Sequence, residues 1–299
     1  MFEGKYRITS GKFGPHMCLS SGWSDRIEKI FKRKRVLELE LNYAKGWPRG
    51  SDLTFLKNIK ELKSFELLDY QVSDISAINE LNDLRLLKVN SNCNNVINCS
   101  NFPNLESISL EWFPNVKSLF GCVSLKSVFI NCCKIKDLSV FKNLQNLEVL
   151  RLKSPGIERI GDISSLENLR FLELGNARKL MSLDGIQAVP ALEVLELNRC
   201  RKIKDIEPVK HLPLLKRLFL INSGKIESLK PVSDLKNLEK ILFYESTNIM
   251  DGDLSPLKEL PCLKEISFVD RKHYNLTMED FEPGYNKRLK KVLKKFGGA

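Results

Sequence analysis

The sequence predicts an α/β solenoid, a stack of similar repeats that each add one short strand to a parallel β-sheet. Two observations predict it. A leucine pattern recurs at a nearly fixed period, and each copy is followed by a second apolar set at three-residue spacing. A fixed period of this size marks a repeat architecture, in which one unit cannot bury its own apolar face and the stack buries all of them together.

The strand segment L-x-x-L-x-L appears as Leu147-x-x-Leu150-x-Leu152, Leu169-x-x-Leu172-x-Leu174, Leu192-x-x-Leu195-x-Leu197 and Leu215-x-x-Leu218-x-Leu220. Weaker copies begin at Val36, Leu62, Leu84, Leu105, Leu125, Leu238 and Leu263. The first spacing is 26, and from Leu62 onward the spacings are 22, 21, 20, 22, 22, 23, 23, 23 and 25, which makes eleven candidate repeats. Strand side chains alternate, so the paired leucines point inward and the residues between them outward. The second apolar set, for example Ile203, Ile206, Val209 and Leu212, suits 3₁₀-like turns or extended segments better than α-helix. Pro208, Pro231 and Pro256 lie in that second half, where a long helix would tolerate them poorly. Stacked at roughly 4.8 Å, eleven repeats would span about 50 Å.

On these motifs the chain resembles the bacterial leucine-rich repeat proteins grouped with the internalins, over residues 36–270. Repeats of about 22 residues with I-x-x-I/L-x-x-L/V-x-x-L after the strand also resemble the phosphatase-regulator subclass. The resemblance implies a leucine-rich repeat horseshoe with a parallel β-sheet on the concave face, 3₁₀ or extended segments on the convex face, and helical caps. It also implies an Asn or Cys eight residues after the first leucine, capping turn backbone inside the solenoid. Asn92, Cys133 and Cys200 match that position, whereas Ala177, Pro155, Ser223 and Ser246 depart from it.

The organisation that follows is an N-terminal cap over 1–35, the solenoid over 36–270, and a C-terminal cap with a basic amphipathic helix over 271–299. Residues 24–35 predict one short helix, capped by Ser24 or Asp25, with Glu28 completing an Asp-x-x-Glu box and Ile27, Ile30 and Phe31 on one face. Residues 1–23 predict strands or loops beneath it. At the other end Leu289, Val292, Leu293 and Phe296 share a helical face among lysines. It is expected to serve as a cap; a membrane-surface or acidic-partner helix is the alternative. The net charge of +11 gathers at these ends: residues 26–35 and 271–299 carry +5 each, residues 1–25 carry +1, and the middle sums to zero.

No run of about 18 apolar residues suggests a membrane span, and the start has no signal-peptide pattern. The expected location is therefore cytoplasmic and reducing. The eight cysteines, at 18, 93, 99, 122, 132, 133, 200 and 262, show no C-x-x-C framework and are expected to be free, with Cys133 and Cys200 inside and Cys132 facing outward. Asn98-Cys99-Ser100 and Asn275-Leu276-Thr277 match the glycosylation pattern, which matters only in a secreted eukaryotic protein. Asp251 and Asp253 could be read as a metal pair, but before Leu254 they fit a turn and cap better. Histidines stand only at 16, 211 and 273, with no expected nucleophile partner, and no P-loop, zincin or nucleophile-elbow motif is present. No catalysis, cofactor or metal is expected.

The outward strand positions form three columns, and these include apolar members in neighbouring repeats. The candidate partner-binding residues on the concave face are Phe129, Arg151, Phe171, Glu173, Glu196, Arg217, Phe219, Ile221, Leu242 and Tyr244. Aromatic and aliphatic anchors among charges are the composition of protein interfaces. Two stretches break the pattern: Asn90–Phe102, where Asn, Cys and Ser replace an apolar second half, followed by Trp112-Phe113-Pro114; and Tyr244–Asp253. The expected function is a protein-binding scaffold, in its most concrete form a bacterial inhibitor or immunity-type protein. Two alternatives stay open: nucleic-acid or anionic-surface binding through the basic ends, and a phosphatase-regulator-like adaptor. A phosphate-tracking groove should be basic along its length, so the neutral middle argues against nucleic acid as a partner.

Overall fold

The computed structural model describes residues 5–92, 95–112, 114–282 and 284. The chain forms two compact units, Met1–Cys133 with Val140–Leu150, and Lys134–Ser139 with Arg151–Ala299.

In the first unit, β1 (Tyr6–Ser10) and β2 (Pro15–Leu19) make an antiparallel hairpin. After it comes α1 (Asp25–Arg33), then β3 (Glu38–Asn42), β4 (Ser64–Leu68), β5 (Leu86–Asn90), β6 (Ser107–Glu111) and β7 (Ser127–Asn131). From β3 onward each strand pairs in parallel with the one before it. Ser24 caps α1 by accepting a hydrogen bond from the Ile27 amide at 3.4 Å, and Ile27, Ile30 and Phe31 are buried. Asp25 is the first helical residue, where its charge favours the helix N-terminus. Residues 5–19, expected as strands or loops, continue the sheet through the β2–β3 pairing.

Strand β8 (Val149–Lys153) begins in the first unit and ends in the second. The second unit continues with β9 (Phe171–Gly175), β10 (Val194–Asn198), β11 (Arg217–Ile221), β12 (Lys225–Ile226), β13 (Lys240–Tyr244), β14 (Asn248–Ile249) and β15 (Glu265–Phe268). Strands β9, β10, β11, β13 and β15 pair in parallel in that order, and β12 pairs with β14 in a small second sheet. At its end Phe268 stacks on Phe243 with centroids 4.8 Å apart, and Tyr274 packs its ring edge against both. The basic amphipathic helix expected around Leu289–Phe296 lies outside the described residues.

The alternation forecast by L-x-L holds. Leu147, Leu150, Leu152, Ile157, Ile160, Ile163 and Leu166 are all fully buried, as are Leu192, Leu195, Leu197, Ile203, Ile206, Val209 and Leu212. The second halves are short 3₁₀ helices except after β8, where 154–170 are turns and extended chain, and Pro208, Pro231 and Pro256 stand in the first turn of three of the helices. There a missing amide costs nothing, because the first amides of a helix have no intrahelical acceptor. An aspartate or serine before these turns accepts the amide two residues on: Asp74 from Ser76 at 2.7 Å, Asp205 from Glu207 at 2.7 Å, Ser228 from Lys230 at 3.0 Å and Asp253 from Ser255 at 3.0 Å. Asp253 is thus a turn residue just ahead of the N-cap Leu254, and Asp251 in turn accepts the Asp253 amide at 3.1 Å.

The interior capping position departs from the expectation. Cys133 and Cys200 are buried as expected, but Asn92, Pro155 and Ser246 are exposed, and Ser91, Ser154 and Thr247 are buried in their place. The reason is turn length. After β4, β5 and β8 the inward residue follows the strand directly: Asp69, Ser91 and Ser154. After β7, β9, β10 and β11 one residue with positive φ intervenes (Cys132, Asn176, Arg199 or Asn222), and Cys133, Ala177, Cys200 and Ser223 come next. After β13 both Glu245, at φ 59°, and Ser246 precede Thr247. The ladder is therefore mixed in chemistry. Cys200 Sγ donates to the Leu174 carbonyl at 3.2 Å, Ser223 Oγ to that of Leu197 at 3.0 Å, and Thr247 Oγ1 to that of Leu220 at 2.6 Å.

A second correction concerns Asn90–Phe102. Ile97, Cys99 and Phe102 are fully or almost fully buried, so the core continues through this repeat. Ser118 Oγ donates to the Ile97 carbonyl at 2.9 Å and accepts the Cys99 amide at 3.0 Å. Trp112 follows β6 directly, with its ring 6.3 Å from that of Phe120.

Candidate functional site

The open sheet face of the second unit is built by strand register. Its first column runs Phe171, Val194, Arg217, Lys240, Glu265; its second Glu173, Glu196, Phe219, Leu242, Ser267; its third Gly175, Asn198, Ile221, Tyr244. Every member points away from the buried leucines because side chains alternate along a strand. Phe219 and Ile221 on β11 stand opposite Leu242 and Tyr244 on β13, and all four are part-exposed. They form a two-by-two apolar block. Lys240 places its ammonium 5.7 Å from the Phe219 ring centre and pairs with Glu265 at 2.6 Å. Arg217 is exposed beside it.

On the other side of the block the face is polar. Glu173 is only 4% exposed, although it occupies an outward position. Arg151 Nε holds its carboxylate at 2.5 Å while the same guanidinium lies 5.7 Å over the Phe171 ring. Glu196 stands next to Glu173 in register, with no carboxylate hydrogen bond among the described residues. Burial, and then the neighbouring Glu173 charge, push its carboxyl above the usual range. A pocket of about 490 Å³ opens here, lined by Lys153, Glu173, Glu196, Arg199, Tyr244 and Glu245 among others. Gly175 forms part of it; a Cβ there would sit 3.2 Å from Lys153 Cγ.

Nine of the ten candidate residues thus belong to this unit. Phe129 belongs to the first, on β7, where its register neighbour is Ser109 and the next is Lys88. Sequence reasoning missed Arg199 and Glu245. Both stand one place beyond the third column, at positive φ, where simple alternation no longer says which way a side chain points. The signal that could have found them is the Asn at the equivalent places, Asn176 and Asn222, since Asn favours that conformation.

Charges at the two strand edges differ. Before the strands Arg170, Glu193, Lys216, Glu239 and Lys264 alternate in sign from one repeat to the next. Glu193 accepts Lys216 at 2.8 Å and Arg170 at 2.7 Å, and Glu239 accepts Lys264 at 3.0 Å. Those hydrogen bonds hold both carboxyls below the usual range. After the strands, Arg178, Arg199, Arg201 and Lys202 cluster without such partners.

In the first unit the structure brings together residues that no local sequence pattern associates. Cys18 faces Glu40 in register, and His16 Nε2 lies 3.9 Å from Glu40 Oε2. Burial first, and then Glu40, push the Cys18 thiol up to about 11. A nucleophilic cysteine needs the opposite shift, so this cluster does not supply an activated thiolate. Glu40 is instead tied to Lys45 at 2.7 Å and Asn42 at 3.1 Å. Cys99 and Cys200 are pushed up to about 12 by burial, and Cys132 and Cys262 are exposed. Among the described residues no helix is long and apolar enough to cross a membrane.

No protein-family model and no curated protein matches the sequence. Solved structures do share the fold. An internalin (inlF) of Listeria monocytogenes superimposes with a TM-score of 0.55 at 20% identity, over 80% of this chain and 77% of that one. A leucine-rich repeat protein of Leptospira interrogans does so with a TM-score of 0.56 at 17% identity, over 83% and 71%. The chain has the leucine-rich repeat fold of these bacterial proteins.

Proposed function

We propose that the open sheet face of the second unit is a binding surface for another protein. The observation that carries this reading is the block of Phe219, Ile221, Leu242 and Tyr244, which is apolar, part-exposed and not needed to fill the interior. Charges of both signs border it: Arg217, Lys240 and Glu196. Aromatic anchors within a polar rim are how protein interfaces concentrate their binding energy. Glu196 adds to the argument, because an unpaired carboxylate held above its normal pKa gains when a cationic side chain arrives. Folding alone gives no reason to keep either feature. In its most specific form the reading is a bacterial inhibitor of the immunity type, acting in the cytoplasm by covering its target.

The test is affinity capture from the native cell, comparing the wild-type chain with the Phe219→Ala/Tyr244→Ala double variant. The expected result is one protein recovered in stoichiometric amount by the wild type and strongly depleted with the variant. Recovery of no stoichiometric partner, or equal recovery with both chains, would overturn the reading.

A further inference from the structure

The turns that follow β9 and β10 gather four cations. Arg178, Arg199, Arg201 and Lys202 are all exposed and line one depression of about 550 Å³, completed by Asn222. No acid lines it. Arg201 donates to Asn222 Oδ1 at 2.9 Å, and no other side-chain partner holds any of the four among the described residues. This contrasts with the opposite strand edge, where each repeat answers the charge of the last. The middle of the chain sums to zero, yet here the cations are left unanswered. Like charges packed this closely repel one another, so the cluster favours an incoming anion.

Arg199 makes the second argument. It occupies the positive-φ place in its turn, at φ 58°, where Asn176 and Asn222 stand in the adjacent repeats. Asparagine tolerates that conformation and arginine does so less readily. Cys132 and Glu245 hold the same place elsewhere in the chain, so the turn accepts several side chains; arginine there puts a guanidinium at the rim, where it lines both this depression and the pocket of the open face.

We propose that Arg178, Arg199, Arg201 and Lys202 form a docking patch for a carboxylate-rich segment of a protein partner. The proposal deepens the protein-binding reading above and rests on it. Planar guanidinium groups match carboxylates with paired, charge-assisted hydrogen bonds. A nucleic-acid strand fits less well on two counts. The patch covers two successive turns, roughly 5–10 Å of stack, too short to follow a phosphate backbone. On its inner side, across Arg199, it meets Glu173, Glu196 and Glu245, which repel a polyanion. A short acidic segment entering from the edge avoids them.

The test titrates the whole chain with a short fluorescent oligo-glutamate peptide and with an oligothymidylate of equal length, by anisotropy at low and high salt. The comparison chains are Arg199→Asn alone and Arg178→Ala/Arg199→Asn/Lys202→Ala. Asparagine already serves at the equivalent turns, so the single variant keeps the fold, and thermal unfolding confirms it. The expected result is salt-sensitive peptide binding that the triple variant weakens by about tenfold or more and the single variant weakens measurably. Phe219→Ala should bind the peptide as the wild type does. No peptide binding by the wild type, undiminished binding by the triple variant, or tighter binding of the oligothymidylate overturns the proposal. Loss of partner capture by Phe219→Ala/Tyr244→Ala alongside an unchanged peptide response to the triple variant would overturn the patch and leave the open face standing.

Discussion

Leu195 and Glu196 are neighbours on β10, and they show how far one residue step moves a side chain. Leu195 is fully buried, while Glu196 projects into the open face. Leu195→Ala is expected to destabilise the chain by roughly 2–5 kcal/mol, as for other large-to-small changes in a packed core. Chemical denaturation checks it, and a change under about 1 kcal/mol would contradict the register. Glu196→Gln should act in the other direction. Its carboxyl is raised in the folded chain, so the folded state holds that proton more tightly than the unfolded state does. The native state is therefore favoured below the usual carboxylate range and loses this contribution as pH rises through the raised value. The glutamine variant should melt higher than the wild type at neutral pH, and the gain should vanish under acidic conditions. A gain that persists in acid, or none at neutral pH, would refute that assignment. The leucines were legible because strict alternation fixes them. Glu173 was legible only in direction: the sequence placed it outward, but Arg151 closing over it depends on a contact between strands about 22 residues apart, which no local pattern encodes.

At the scale of the element, strands and 3₁₀ segments were readable because their periods differ and prolines stand where a 3₁₀ turn accepts them. The turns between them were not. One added residue with positive φ shifts the inward position by one place, and nothing in the leucine period reports it. The expectation therefore succeeded at Cys133 and Cys200 and failed at Asn92, where Ser91 lies inside. Gly252 offers a direct probe of such a turn. It has φ +69°, and a Cβ there would fall 2.2 Å from the His273 carbonyl oxygen. Backbone, not a flexible side chain, stands in the way. Gly252→Ala is expected to cost about 1–3 kcal/mol through strain, seen as a lower urea midpoint. An unchanged midpoint would mean that the 252–273 contact can open freely.

For the molecule as a whole, composition located charge by position along the chain, whereas the fold locates it by edge. The stretch that sums to zero holds a paired ladder before the strands and unpaired cations after them. A sum over residues cannot separate those two edges, because a five-residue strand carries the chain from one to the other, as from Glu193 before β10 to Arg199 after it. The same geometry separates stability from recognition in the second unit. Interior leucines do the folding, and the outward columns are left to vary. Phe219 tests that separation. It is part-exposed and contributes nothing to the leucine core, so Phe219→Ala should change unfolding free energy by roughly 1 kcal/mol or less. If Phe219 anchors the partner, the same substitution should weaken binding by about 2 kcal/mol or more, measured by calorimetry with the captured protein. Loss of folding would show that the ring supports the interior after all. Intact folding with full affinity in both Phe219→Ala and Tyr244→Ala would move recognition off this face, leaving the other surfaces of the chain to carry it.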